Sequence, residues 1–103
     1  MPKGVTRGNA ERFLNDVPEE YQFWLNDGST IKNVEQLADS LRNMNEETFR
    51  YHSNKEKTDF SNWLRDIVGD DKLARELIKN KNKITAYNKV KDRIALLKRI
   101  RRT

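Results

Sequence analysis

The sequence predicts an α+β domain that is mostly helical, with a short N-terminal β-hairpin packed on four to five helices. An aromatic-rich stretch over residues 21–25 precedes an Asp-Gly turn, as in a hairpin. Apolar residues then recur at spacings of three and four along the rest of the chain, as on one face of α-helices. With 103 residues, 35% hydrophobic and 36% charged, the chain is long enough for one small domain with a modest core.

Residues 1–18 are predicted to form a flexible N-terminal segment. They contain two prolines and two glycines among scattered polar residues, and only Phe13 and Leu14 could dock on the rest of the chain. The single helical domain is therefore predicted to span residues 19–103.

The hairpin is predicted from residues 21–25 (YQFWL), a turn over residues 26–29 and a return strand beginning at residues 30–31. An isolated two-stranded hairpin is only marginally stable, so it must pack against helices. We expect Trp24 or one of its two neighbours to make this contact, and we assign Trp24 to the core.

Five helices are predicted after the hairpin, and polar residues mark their ends. Asn33 and Asn45 are predicted N-caps of the first two, and Thr58 is the predicted N-cap of the third. Gly69 is expected to end the third helix in a left-handed conformation, and Asp70 to cap the fourth. The predicted core, centred on Phe60, Trp63 and Leu64, consists of Trp24, Leu37, Leu41, Phe49, Phe60, Trp63, Leu64, Ile67, Leu73 and Leu77.

The fifth predicted helix covers about residues 84–101 and is amphipathic and basic. Its apolar residues form one stripe, and lysines and arginines occupy the other faces. The stripe consists of Ile84, Tyr87, Val90, Ile94 and Leu97, widened by Leu96 and Ile100.

Charge is distributed unevenly along the chain. Residues 1–71 contain nine Lys and Arg against fourteen Asp and Glu, a balance of −5. Residues 72–103 contain twelve Lys and Arg against two acidic residues, a balance of +10. Such an asymmetry indicates a basic arm on an acidic body.

One block of the sequence has a recognisable order of residues. It runs through Asp27-Gly28, Leu37-Ala38, Phe49, His52, Asn54, Asp59-Phe60, Trp63, Gly69-Asp70 and Leu73-Ala74. In this order, over roughly residues 21–94, the chain resembles a family of small prokaryotic, largely archaeal proteins of unknown function. It departs from that pattern at Ser53, where a β-branched residue is expected, and at Thr58, where Asn is expected. The resemblance implies a fold and no activity.

His52 and Asp59 are the residues that could take part in chemistry. They could form a general base with its carboxylate, or His52 could be a metal ligand. Alternatively, His52 is structural and hydrogen-bonds the start of the helix near Asp59, which is the interpretation that we favour. The chain has one histidine, no cysteine, no glycine-rich phosphate loop and no nucleophile motif. We therefore predict a protein that is not an enzyme, with no cofactor and no metal.

The basic C-terminal helix is the strongest functional feature, because Lys and Arg neutralise phosphates and release counterions. We predict a binding protein that contacts nucleic acid through this helix, with RNA or a ribonucleoprotein favoured slightly over DNA. A solvent-exposed basic face without a ligand is the alternative explanation. The predicted contact residues are Lys81, Lys83, Lys89, Lys91, Arg93, Lys98, Arg99, Arg101 and Arg102.

Two other functions stay open at this point. The apolar stripe of the last helix could bind a protein partner, although its near-heptad pattern lasts only two repeats. A basic amphipathic helix could also lie on an anionic membrane, but this one has no Trp or Phe on its apolar face. No apolar run approaches the roughly 20 residues of a membrane span. We expect a cytoplasmic protein without a membrane partner, as a monomer or a weak dimer.

Overall fold

The computed structural model describes residues 4–79 and 82–102. The elements are α1 (Arg7–Leu14), a 3₁₀ turn (Glu19–Tyr21), β1 (Phe23–Trp24), β2 (Thr30–Ile31), α2 (Val34–Asn43), α3 (Glu46–His52), α4 (Asp59–Trp63), a π-helical turn (Leu64–Val68), α5 (Asp71–Lys79) and α6 (Lys83–Arg101). The predicted fold class is therefore confirmed: the domain is α+β and mostly helical, with an antiparallel hairpin near its N-terminus.

Helix α1 corrects the prediction that residues 1–18 form a flexible segment. The Thr6 hydroxyl caps this helix by accepting a hydrogen bond from a backbone N–H in its first turn. Ala10, Phe13 and Leu14 are buried, and α1 packs closely on α6. The two glycines are both exposed, so neither interrupts the buried face. Three apolar residues on one face were therefore enough to hold a short helix against the body.

The hairpin pairs Phe23 with Ile31 and Trp24 with Thr30. Phe23 and Leu25 are buried, whereas Trp24 is 67% exposed, so its assignment to the core was wrong. Successive side chains of a strand point to opposite faces, and the inward face is occupied by the neighbours of Trp24.

The aromatic centre of the core joins the hairpin to α3 and α4. The Phe23 ring stacks on Phe60, with 5.1 Å between centroids, and Phe60 in turn stacks on Phe49 at 6.0 Å. Trp63 meets Phe23 edge-on and donates its indole N–H to the Tyr21 carbonyl at 2.8 Å. Of the predicted core residues, Ile67 is half-buried and Trp24 is exposed; the buried ones are Leu37, Leu41, Phe49, Phe60, Trp63, Leu64, Leu73 and Leu77.

Asparagine side chains begin α2 and α3 as the sequence predicts. Asn33 accepts from a backbone N–H of α2, and Asn45 accepts from one of α3, each at 2.8 Å. Thr58 occupies the N-cap position of α4 as predicted, but its side chain does not make the expected capping hydrogen bond. Thr58 instead pairs with Ser53 in a β-bridge, which closes the loop before α4.

A tight corner separates the π-helical turn from α5. Gly69 adopts a left-handed conformation with φ +92°, as predicted, and its N–H and that of Asp70 both donate to the Leu64 carbonyl. A Cβ at position 69 would lie 2.6 Å from a terminal nitrogen of Arg12, a flexible side chain that can move, so the left-handed conformation is the main reason for glycine here. Asp70 caps α5 by accepting from the Leu73 N–H at 3.2 Å.

Helix α6 lies at the centre of the domain and contacts α1, α2 and α5. Lys83 is close to the end of α2, while Lys98 is close to its beginning at Glu35, so the two helices are antiparallel. Contacts of α6 with Asp70 and Glu76 likewise make it antiparallel to α5. The two flanks of α6 are therefore covered by α2 and α5, and an outward strip is left exposed.

Candidate nucleic-acid interface

Helix α6 begins at Asn82, whose side chain accepts from the backbone N–H groups of Ile84 and Thr85 at 3.0 and 3.1 Å. The helix has 19 residues, and its last turn is basic. Positive charge there is favourable, because the exposed carbonyls of a helix C-terminus have a partial negative charge. This interaction with the helix C-terminus explains the presence of some of the basic residues, whether or not the helix binds a ligand.

Most of the apolar stripe of α6 packs against the core. Val90 and Leu97 are fully buried, and Ala86 is nearly so. Tyr87 and Ile94 are partly buried against the same core. Ile84, at the start of the predicted stripe, is 65% exposed, so the chain's own body covers most of the stripe but not its first residue.

Arg93 is the clearest correction to the predicted contact set. Its side chain is only 9% exposed, and its guanidinium donates two hydrogen bonds of 2.8 Å to the two carboxylate oxygens of Asp70. Asp70 itself is 1% exposed. Arg93 therefore fixes α6 to the start of α5, and neither group is available to a phosphate.

Two further lysines of the predicted set form ion pairs with the body. Lys89 lies 3.2 Å from Glu76 of α5, and Lys98 lies 3.1 Å from Glu35 of α2. The hydrogen bond from Lys89 holds the pKa of Glu76 below its ordinary value. Each of these lysines has a carboxylate within 3.2 Å that offsets its charge, so it attracts phosphate less than an isolated cation would.

Lys83 donates to the backbone carbonyls of Leu41 and Arg42, at 3.1 and 3.3 Å. These carbonyls belong to the last turn of α2, so Lys83 stabilises the end of that helix. Lys81 lies outside the described residues.

The remaining predicted contacts are Lys91, Arg99, Arg101 and Arg102, which we call the basic face. All four are exposed, and within residues 4–79 and 82–102 none of them forms an ion pair. At 3.6 residues per turn, Lys91, Arg99 and Arg102 fall within a sector of about 80°. From Lys91 to Arg102 the basic face extends about 16 Å along the helix, at 1.5 Å per residue.

Arg101 is exposed for a different reason. Its helical phase is close to that of the buried Val90, which would turn it toward the body. Its exposure indicates that the last turn of α6 extends past the helices that pack on it. The basic face therefore ends in three arginines that solvent reaches from several sides.

His52 is held on both ring nitrogens. Its Nε2 accepts from the backbone N–H of Asn26 at 3.0 Å, and its Nδ1 lies 2.9 Å from Asp59. A backbone N–H can only donate, so Nε2 must be the unprotonated nitrogen and Nδ1–H donates to the carboxylate. Buried and fully bonded, the neutral ring connects the hairpin turn to the start of α4. This arrangement fits the structural interpretation and leaves no free nitrogen for a base or a metal.

Replacement of His52 with Leu is expected to lower the free energy of unfolding by about 1–3 kcal/mol, because it leaves the Asn26 N–H and the Asp59 carboxylate without this partner. Urea denaturation measures the loss, and amide hydrogen exchange should show the Asn26 amide exchanging faster. Unchanged protection of that amide would contradict the assigned role.

The acidic residues around Gly69 are occupied by arginines. Asp66 bonds to Arg65, whose hydrogen bond holds the Asp66 pKa below its ordinary value, and Asp71 bonds to Arg75. In the described part of the chain, no three His, Asp or Glu side chains come together in a group suited to a metal ion. No helix in that part is both long enough and apolar enough to cross a membrane.

Sequence reasoning missed the Asp70–Arg93 pair, although the pattern contained a signal for it. Arg93 follows Val90 by three residues and precedes Leu97 by four, which is the spacing of the buried stripe. An arginine at such a position needs a buried carboxylate partner.

Comparison of the chain with protein-family models, with curated proteins and with solved structures gives no match. The resemblance to a prokaryotic family stays a prediction.

Proposed function

We propose that the protein is a non-enzymatic nucleic-acid-binding protein that contacts phosphates through the basic face of α6. The observation that supports this proposal is the separation of the helix's cations into two groups. Lys89, Arg93 and Lys98 are paired with acidic residues of the body. The four residues of the basic face form no ion pair within the described part of the chain.

Electrostatics supports a polyanion as the ligand. The pairing of Lys89, Arg93 and Lys98 with acidic residues leaves the basic face as an exposed strip of positive charge beside a body with a net negative charge. Arginine, which supplies three of the four cations, can donate two parallel hydrogen bonds to one phosphate. RNA is the first candidate and DNA the second.

Replacing Arg99, Arg101 and Arg102 together with Gln is expected to weaken binding to a fluorescent RNA oligonucleotide at least tenfold at low salt. Fluorescence anisotropy at several salt concentrations measures the affinity. The plot of log affinity against log salt should become shallower by about 2, at roughly 0.7 per lost phosphate contact on a single strand. The three side chains are exposed and the changes lie in the last turn, so the fold should persist.

The matched control replaces Arg50, Lys55 and Arg65 with Gln. These exposed cations lie on α3, the following loop and the π-helical turn, so the control removes the same net charge from other surfaces. An equal loss of affinity in both triple variants would mean that net charge alone attracts the nucleic acid. Absence of binding by the unaltered protein at low salt would refute the proposed function.

A further inference from the structure

The flanks of α6 limit how it can meet a nucleic acid. A helix with side chains is about 10–12 Å across, and the major groove of B-DNA is about 12 Å wide. Because α2 and α5 lie along α6 on both sides, the helix cannot enter such a groove along its length. The basic face can reach phosphates from outside, but it is poorly placed to reach bases in a duplex.

Trp24 provides a second exposed feature that the basic face does not explain. It is 67% exposed on the outward side of the hairpin, although the indole ring is among the largest apolar groups in proteins. Its strand is held firmly, since Phe23 and Leu25 are buried on either side and Trp24 pairs with Thr30. The ring is therefore presented to solvent on a fixed backbone, as a stacking platform requires.

The hairpin and the basic face are connected through the start of α2. Strand β2 ends three residues before α2 begins, and Glu35 in the first turn of α2 contacts Lys98 of α6. Five residues separate Thr30 from Glu35, a stretch of chain that spans at most about 17 Å. Lys98 directly precedes Arg99 of the basic face, so both features belong to one domain of 39 × 28 × 21 Å. Sites that combine a basic groove with aromatic side chains take about 4–16 nucleotides, enough for one flexible strand to contact both.

We propose that the ligand is a single-stranded nucleic acid, with one base stacked on Trp24 and its backbone following the basic face. This inference rests on the proposed function and specifies the class of nucleic acid. Stacking on an aromatic ring needs an unpaired base, and it tolerates any base because each has a π-face. A duplex would meet only the basic face, so it should bind more weakly than a single strand of the same length.

The test compares Trp24→Leu with Trp24→Phe in anisotropy titrations against a single-stranded RNA of about 12 nucleotides and against its duplex. Leucine retains apolar character without a π-system, while phenylalanine retains a ring. We expect Trp24→Leu to bind the single strand about tenfold more weakly, Trp24→Phe to stay close to the unaltered protein, and duplex binding to be the same in all three.

Tryptophan fluorescence gives an independent readout. The chain has two tryptophans, and Trp63 is buried with its N–H bonded to Tyr21, so Trp24 is the tryptophan on which an added base can stack. The single strand should quench the emission of the exposed residue, and this quenching should vanish in Trp24→Phe although binding persists.

The possible failures are distinguishable. Equal affinity of Trp24→Leu and the unaltered protein for the single strand, or binding without quenching, overturns the stacking proposal and leaves the basic face as the interface. Tighter binding to the duplex than to the single strand overturns it as well. If the unaltered protein binds neither, the proposed function and this inference both fail.

Discussion

Replacement of Asp70 with Asn is expected to lower the free energy of unfolding by about 3–5 kcal/mol, because it leaves a charged Arg93 buried without its counter-ion. A domain of this size has a total stability of roughly 5–15 kcal/mol, so the loss is large. Asparagine keeps the size of the side chain and can still cap α5, so the change isolates the ion pair from the capping bond. Urea denaturation followed by circular dichroism measures the difference.

The neighbouring Asp71 offers the matched control. It pairs with Arg75 one turn along the same helix, and both side chains are more than half exposed. Water and salt screen such a pair, so Asp71→Asn should cost no more than about 0.5 kcal/mol. Equal losses for the two variants would contradict the assigned role of the buried pair.

A double variant tests whether the unpaired charge of the buried Arg93 causes the loss of stability. With Arg93 replaced by Met and Asp70 by Asn, no unpaired charge is buried, so the double variant should be more stable than the sum of the two single losses implies. Additive losses would mean that the two groups act independently.

Replacement of Phe60 with Ala is expected to cost about 3–5 kcal/mol in free energy of unfolding. Phe60 is 2% exposed, and its ring contacts Phe23 of β1 and Phe49 and His52 of α3. The cavity left by the ring cannot close without moving the hairpin or α3. Thermal and urea denaturation measure the loss.

Trp24→Ala is the informative comparison for Phe60→Ala, because it removes a larger aromatic side chain from a nearby position. Trp24 is mostly exposed, so its removal should change the stability by less than about 0.5 kcal/mol. A loss at Trp24 as large as that at Phe60 would show that the indole ring is part of the core after all.

Local structure was largely predictable from the sequence. The Asp-Gly turn at Gly28, the left-handed Gly69 and the asparagine caps of α2 and α3 all appear where residue type and spacing indicate them. Each depends on interactions within a few residues, so the necessary information lies in one short stretch of chain. The apolar stripes likewise located the helices and most of the core.

The predictions that were wrong concern which residues pack in the core and which are exposed to solvent. Phe23, Trp24 and Leu25 are all strongly apolar, and composition alone could not decide which of them faces inward; pairing with β2 decided it. The helix α1 was missed because a short helix has little stability by itself and forms here on contact with α6.

For the candidate interface too, the sequence predicted the local properties, and the tertiary structure decided which residues are accessible. The sequence by itself determined that the C-terminal helix is amphipathic and strongly basic, because both properties follow from residue identity and helical period. Only the tertiary structure decided which of its cations are available, since Glu35, Asp70 and Glu76 come from 63, 23 and 13 residues earlier than their partners. Charge pairing across such separations depends on how helices pack, and it left Lys91 and the last three arginines exposed to solvent.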